Sequence, residues 1–584
     1  MKPFLLSFGL AAAVLVWLFA PALAGEASFP FRDAAHYYHP LFEYIRGEWG
    51  AGRLPLWNPY ENSGVPLLAE NTSSVFYPGK LLFALPLDYT WLYNLYIVAH
   101  VGLAAATSYR LARYWGASQL AAGLATLSYA FGGSVLFQYC NVVFLVGAAW
   151  LPLAIELSDR MIAHTSSWAT AGFGLVLAVI VLGGDPQMAY NAALLALVRA
   201  CLQLRVNRAR WLVRSVLPRL LGAVAIAGAV AAVQILPTIE ASRLSARAMY
   251  DSPRNIYEVA EYLADPAERG TTWYAGLVGQ QASTHGRQVY SFSLDPWRAV
   301  EMLWPNVLGR PFPMDRRWVG ALGYESQLWA ASLYLGLAPL VLALSAWSCR
   351  RAAPIEVRFC SWMVVLGALG SLGVFGLAWL IGLLFGGSEL VGIGGEVGGL
   401  YWFLATFLPG YIQFRYPAKL FVCATLGFAI LAAHGWDRAW KECPKPLVKV
   451  LWGISAVSLL CLIGVIFCRG IGESYVPRHE ASRLVGPFDG GGAWRDAVTA
   501  LLHTSVVAAC TAMFLRWAAR GKVRLRFPQS LALCLTALDL AVAQSPLVLF
   551  APSEAWRGEP GIVGSLPPHP EGYRIFRPTG PLPA

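Results

Sequence analysis

The sequence predicts an all-α integral membrane protein of about thirteen transmembrane helices with two long extracytoplasmic loops. Three observations carry this expectation. Charged residues make up 13% of the chain and hydrophobic residues 57%, where soluble domains carry about 25% charged residues. Mean hydropathy is +0.52. Apolar stretches near the ~20 residues needed to cross a bilayer recur from end to end. The same figures exclude a soluble enzyme, a disordered tail and a nucleic-acid binder. The 10 cysteines lie in apolar segments or short connections without a C-x-x-C pair, so no disulfide framework, zinc or redox motif is indicated.

The first span covers residues 3–24 behind Lys2, and its end, Pro21-Ala22-Leu23-Ala24-Gly25, also reads as a signal-peptidase site. Further spans are expected at 90–109, 119–139, 142–158, 168–184, 187–204, 215–237, 326–347, 359–385, 416–435, 447–467, 497–515 and 531–550. With the N-terminus in the cytoplasm, every short inner loop is basic. These loops hold Arg110 and Arg113, Arg160, Arg199 to Arg214, Arg350 to Arg358, Arg438 to Lys445, and Arg516 to Arg526. This is the positive-inside pattern, and it absorbs much of the net charge of +11. The run 400–410 is about half the length of a crossing. A crossing there would move every later basic loop outside, so it is read as re-entrant or interfacial, and the C-terminus is extracytoplasmic.

The two outer loops, 25–89 and 238–325, are rich in Trp, Tyr, Pro, Asn and Arg. Loops of this length in a compact architecture are usually functional. The glycine-rich stretch 386–399 misses the dinucleotide fingerprint and lies between membrane segments, which makes it an outer loop and not a nucleotide site. No internal repeat at solenoid spacing is visible.

The first outer loop carries the most information. It contains Phe31-Arg32-Asp33 with His36 and His39, then Gly52-Arg53-Leu54-Pro55-Leu56-Trp57-Asn58-Pro59-Tyr60, Gly64-Val65-Pro66-Leu67-Leu68 and Val75-Phe76-Tyr77-Pro78. Later come Trp150-Leu151-Pro152-Leu153, Gly184-Asp185-Pro186-Gln187, Gln234-Ile235-Leu236-Pro237-Thr238 and Phe414-Arg415-Tyr416-Pro417-Ala418-Lys419. In this order the set resembles the bacterial YfhO-like membrane proteins of the C-type glycosyltransferase superfamily. The resemblance implies a C-type glycosyltransferase-like helical membrane protein. Its active site would face outward and take a sugar from a polyprenyl-phosphate-linked donor.

Transfer from such a donor needs a base for the acceptor hydroxyl and cations for the departing phosphate. Asp33, directly after the first span, is the expected base; otherwise it caps a helix or pairs with Arg32 or Arg53. Arg415 and Lys419 are expected to bind the donor phosphate, the alternative being cations that snorkel to headgroups. Arg243 and Arg247 are weaker candidates of the same kind. Relatives of the C type often keep a second outer-loop acid, which Asp185 or Glu240 would supply; otherwise Asp185 is a helix N-cap. His36 and His39 are expected to face headgroups or substrate hydroxyls. A divalent metal on Asp33 and His36 is an alternative that the i, i+3 spacing leaves open, and no cofactor is certain. Trp57, Asn58 and Tyr60 are candidates for sugar binding, or interfacial anchors. Asp539 within the last span is functional or half of a structural pair, and His100 and His434 are helix-packing residues. The short Pro-rich tail 551–584 departs from longer relatives, which continue into an outer domain.

The expected function is transfer of a sugar to a cell-envelope glycan, teichoic-acid-like polymer or lipid on the outer face of the cell membrane. The partners are the lipid bilayer, the donor and the acceptor, without nucleic acid. The competing readings are a transporter or flippase of lipid-linked sugars and a non-catalytic membrane assembly protein.

Overall fold

The computed structural model describes residues 3–61, 64–204, 212–245, 248–250, 252–264, 273–279, 288–321, 328–350, 353–385, 393–442, 444–469, 486–520 and 526–558. Arg247, several basic residues of the loops expected to be cytoplasmic (Arg205, Arg208, Arg210, Arg351, Lys522, Arg524), the stretch 386–392 and the tail beyond 558 lie outside them. The principal helices are α1 (Pro3–Leu23), α2 (His39–Gly50), α3 (Tyr89–Tyr114), α4 (Gln119–Ala130), α5 (Val142–His164), α6 (Ser167–Leu182), α7 (Pro186–Leu204) and α8 (Leu217–Ser242). They continue with α9 (Ile256–Ala264), α10 (Leu337–Ser348), α11 (Ile355–Ser371), α12 (Leu400–Phe407), α13 (Phe421–Glu442), α14 (Lys445–Phe467), α15 (Gly490–Ala519) and α16 (Arg526–Gln544).

Among the described residues, 7 helices are long and apolar enough to cross a bilayer, or 8 with α4 and its bent continuation counted as one. The chain is a multi-pass membrane protein. Its centre is the helix Pro417–Glu442, with 94% of its most apolar stretch inside protein; the corresponding stretches of Lys445–Phe467 and Arg214–Ser242 are 17% buried and lie at the periphery. Small residues let this central helix approach its neighbours closely. A Cβ at Gly435 would stand 2.1 Å from the Leu342 carbonyl oxygen, and one at Gly427 would stand 2.8 Å from that of Cys360.

Two expected spans are not continuous helices. Within 326–347 the described chain is irregular until Gly336, and only α10 is helical. Within 359–385, α11 stops at Ser371 and a separate helix, Leu377–Phe385, follows. A third, 119–139, bends by 49° after Ala130. Apolar composition could not report these breaks, because the backbone they free is satisfied by residues far along the chain. Tyr334 C=O accepts from Gly133 N (2.8 Å) and from Gln544 Nε2 (2.9 Å), and Leu335 C=O accepts from Ser128 Oγ (2.9 Å).

Asp539 holds the start of α10. Its carboxylate accepts from Leu337 N (3.1 Å) and Tyr334 OH (2.6 Å), and His503 Nε2 lies 2.7 Å away. Asp539 is therefore a structural cap and pair. Asp539→Ala would strand these buried groups, and we expect a stability loss of about 3 kcal/mol. Thermal unfolding in detergent, with Asp539→Asn as the milder comparison, checks it.

The run 400–410 contains only the eight-residue α12, about 12 Å long, and α12 does not cross a bilayer. The strands are short: β1 (Ala27–Ser28) pairs with β4 (Ala551–Pro552), and β2 (Trp57–Asn58) with β3 (Val65–Pro66), both antiparallel. The first of these ties the end of α1 to the start of the tail. Opposite the site described next, Glu156 pairs with Arg110 (2.8 Å) and Arg160 (2.9 Å), and Asp159 with Arg199 (2.7 Å). Arg199 follows Asp185 by fourteen residues, about 21 Å along α7.

Candidate active site

Asp33 sits at a place where the backbone is forced. Arg32 before it has φ +53°, and residues Ala34–Tyr38 after it form a π-helical turn that leads into α2. π-Turns and left-handed non-glycine residues are costly and cluster at functional sites. Two more such residues, Phe292 (φ +58°) and Tyr416 (φ +70°), meet Arg32 around one aromatic cluster. Tyr416 stacks on Trp329 at 4.9 Å and meets the edge of Phe292 at 5.1 Å, while the Arg32 guanidinium lies 5.3 Å from the Phe292 ring centre.

These contacts decide what Asp33 does not do. Arg32 donates to the carbonyls of Leu328 and Trp329 (3.4 and 3.3 Å). Arg53 is bound to Glu48 (2.6 Å). The Asp33 side chain makes no capping hydrogen bond and is exposed. It lines a cavity of about 660 Å³ together with Tyr37, Glu70, Asp185, Arg415 and Lys419. Partial withdrawal from water raises its pKa above the usual carboxylate value, against the opposing pull of Arg32 and His36.

The opposite wall comes from two later segments. The Gly183–Gly184 turn, with Gly184 at φ +99°, starts α7 at Pro186. Asp185 caps it, Oδ1 accepting from Met188 N at 3.2 Å. The same oxygen lies 3.3 Å from Lys419 Nζ, and both side chains are buried. Lys419 also sits 3.7 Å over the Phe144 ring. Gly147 makes room for the Asp185 carboxylate, since a Cβ there would stand 2.4 Å from Oδ2. Lys419 is thus held by Asp185 and Phe144 and is no snorkelling cation, and Arg415 enters the same cavity four residues earlier.

The segment 69–72 of the first long loop is fastened to the elements around the cavity. Asn71 Nδ2 donates to Gly184 C=O (3.1 Å), Thr238 Oγ1 to Ala69 C=O (3.0 Å), and Tyr37 OH bonds Thr72 Oγ1 (2.8 Å). Glu70 caps the turn Asn71–Ser73. Sequence reasoning passed over Tyr37 and Glu70. The available signal was an acid followed by Asn71-Thr72-Ser73, an N-cap pattern lying between two quoted motifs.

Other expected site residues lie elsewhere. His39 does not face headgroups or substrate: it is buried between Tyr89, Tyr93 and Trp556, at 4.9, 5.0 and 4.7 Å between ring centres. Its burial drives the pKa down to about 4. His36 is exposed beside Asp33 and is not part of the cavity lining. Trp57, Asn58 and Tyr60 are also outside that lining. They form the β2–β3 hairpin, where Asn58 Oδ1 accepts from Tyr60 N (3.0 Å) and Tyr44 OH donates to Trp57 C=O (2.6 Å). Glu240 is exposed on the end of α8 and does not line the cavity, so the acids gathered there with Asp33 are Asp185 and Glu70. Arg243 lines a neighbouring cavity. Among the described residues no group of three His, Cys, Asp or Glu side chains is placed to hold a metal ion.

No protein-family model and no curated protein matches this chain. The solved structures similar to it include the following two. One is ArnT from Cupriavidus metallidurans bound to undecaprenyl phosphate, at 12% identity and TM-score 0.43, covering 92% of this chain and 76% of that one. The other is the Archaeoglobus fulgidus oligosaccharyltransferase in the apo form, at 12% identity and TM-score 0.35, covering 87% and 56%. Likenesses this loose carry no argument about chemistry, which rests on the chain's own residues.

Proposed function

We propose that this chain is a membrane glycosyltransferase of the C type, which moves a sugar from a polyprenyl-phosphate-linked donor to a hydroxyl acceptor of the cell envelope. One observation carries the reading: Asp33, a carboxylate with no hydrogen-bond or ion-pair partner among the described residues, shares a cavity with Arg415 and Lys419 at the end of the molecule that carries the long loops. In the proposed reaction the acceptor oxygen attacks the anomeric carbon and its proton passes to the Asp33 carboxylate. The bond from that carbon to the phosphate oxygen breaks, and its electron pair stays on the phosphate. Arg415 and Lys419 receive that anion. The positive-inside bias of the basic loops supports an outer-face position for this end in the proposed reaction.

The test is transfer of labelled sugar from a glycosyl polyprenyl phosphate in membranes that contain or lack the chain; equal labelling in both would overturn the reading. Direct displacement inverts the anomeric configuration, so a product that retains it would remove this mechanism. The pH profile is a further expectation. Asp33 must be ionised to act as base, and its pKa is raised. The acid limb of kcat/KM should therefore fall above the ~4 of an ordinary aspartate, with activity lost as pH drops through it. A limb at or below the ordinary value would argue against Asp33 as the base.

Broken helices are also found in transporters, where they line a site near the bilayer midplane. Here the break before α10 is closed by Asp539, Tyr334 and Gln544, all buried, and the transport reading gains no support from it.

A further inference from the structure

A second cavity of about 450 Å³ adjoins the first, and Ser242 and Gln413 line both. Its size falls within the ~300–1,000 Å³ of small-molecule sites. One wall is the end of α8 with Arg243; the other is α9 with the turn at Pro409 and Gly410. α9 is held firmly. Asn255 Oδ1 accepts from Tyr257 N (3.0 Å) and Glu258 N (2.9 Å), and Tyr257 OH donates to the Phe407 carbonyl (3.0 Å).

The lining has a distinct chemistry. Tyr250 and Tyr257 are 38% and 44% exposed, which leaves ring surface open to a ligand. Arg254 is engaged with Glu258 (2.6 Å) and lies 4.2 Å from the Tyr250 ring centre. Arg243 and Glu261 have no ion-pair partner among the described residues. Among the described residues the charged lining is two arginines and two glutamates, which balance each other. Aromatic faces beside charged and amide groups suit a ligand with apolar ring faces and many hydroxyls. The balance of charge does not favour a polyanion.

We propose that this groove binds the acceptor as a neutral carbohydrate chain, with Tyr250 and Tyr257 under its rings and Arg243 and Glu261 on its hydroxyls. Its end passes Ser242 and Gln413 into the Asp33 cavity. The assignment rests on the transfer reading above and deepens it. It bears on specificity, because it separates neutral glycans from teichoic-acid-like polyanions.

The experiment uses the full chain in nanodiscs and a radiolabelled glycosyl polyprenyl phosphate. Envelope glycans of the producing cell are split by anion exchange into neutral and polyanionic pools. We expect label in the neutral pool. Tyr250→Ala should raise the acceptor KM by about five- to tenfold, the loss expected for one stacked face, with donor KM holding. Glu261→Gln, at an exposed position, should shift acceptor KM in the same direction and guards against misfolding of the first variant. Label confined to the polyanionic pool, or unchanged acceptor KM in both variants, would overturn the groove assignment alone. No transfer by the wild type into either pool would overturn the transfer reading, and this assignment with it.

Discussion

Asp33→Asn should lower transfer by about a thousandfold while leaving the protein as stable as the wild type. Both halves follow from the same observation. The carboxylate is exposed, caps nothing and is passed over by both neighbouring arginines, Arg32 and Arg53. Asn has nearly the same shape and forfeits no structural contact. It cannot take a proton, however, and general-base catalysis at a positioned group contributes roughly 10²–10⁴-fold. Transfer of labelled sugar, measured beside thermal unfolding in detergent, separates the two effects. Full activity in Asp33→Asn would remove the residue from the reaction. A large loss of stability would mean that its role is structural.

Lys419→Gln should lose both stability and donor binding, and the double variant Asp185→Asn/Lys419→Gln should recover only the first. Lys419 and Asp185 are buried partners 3.3 Å apart. Removing the lysine alone leaves a buried carboxylate without its counter-charge, which costs about 3–5 kcal/mol. Neutralising both removes that penalty, because two amides of similar size can face each other there. A purely structural lysine would let donor binding return with stability. If Lys419 receives the phosphate, binding of a polyprenyl phosphate stays at least tenfold weaker in the double variant, the loss of one charge-assisted contact. Asp185→Asn alone frees Lys419 from its competitor and should keep or strengthen binding. The coupling between the two sites, read from the full cycle, apportions the effect.

The donor chemistry implied by the resemblance already grouped Asp33 with Arg415 and Lys419, and the fold brings all three to one cavity. That much was legible because each lies beside a span end, where hydropathy fixes depth even when partners are unknown. The same logic failed for His39. Its neighbours Tyr89, Tyr93 and Trp556 come from a helix fifty residues on and from the tail, and no local pattern joins them. Trp57 and Tyr60 sit in one of the motifs that carry the resemblance, yet the hairpin that this motif builds lies outside the lining of the cavity.

The span count shows where the boundary lies. Hydrophobicity over ~20 residues reports only that a stretch belongs in the bilayer. The sequence by itself therefore determined a multi-pass helical membrane protein and the residues that lie near the ends of its apolar stretches. It could not determine that the crossings at 119–139, 326–347 and 359–385 are broken, because a break is stable only when its freed backbone groups find partners. Those partners are Asp539, Gln544 and Ser128 for 326–347, the Tyr334 carbonyl for 119–139 and the Ser293 hydroxyl for 359–385; all are distant in sequence and arrive only when the helices pack. The tertiary structure likewise decided that Lys419 is held by Asp185 and that Glu70 and Tyr37 join Asp33. Each depends on which helix ends meet, and that is set by side-chain packing across the whole bundle.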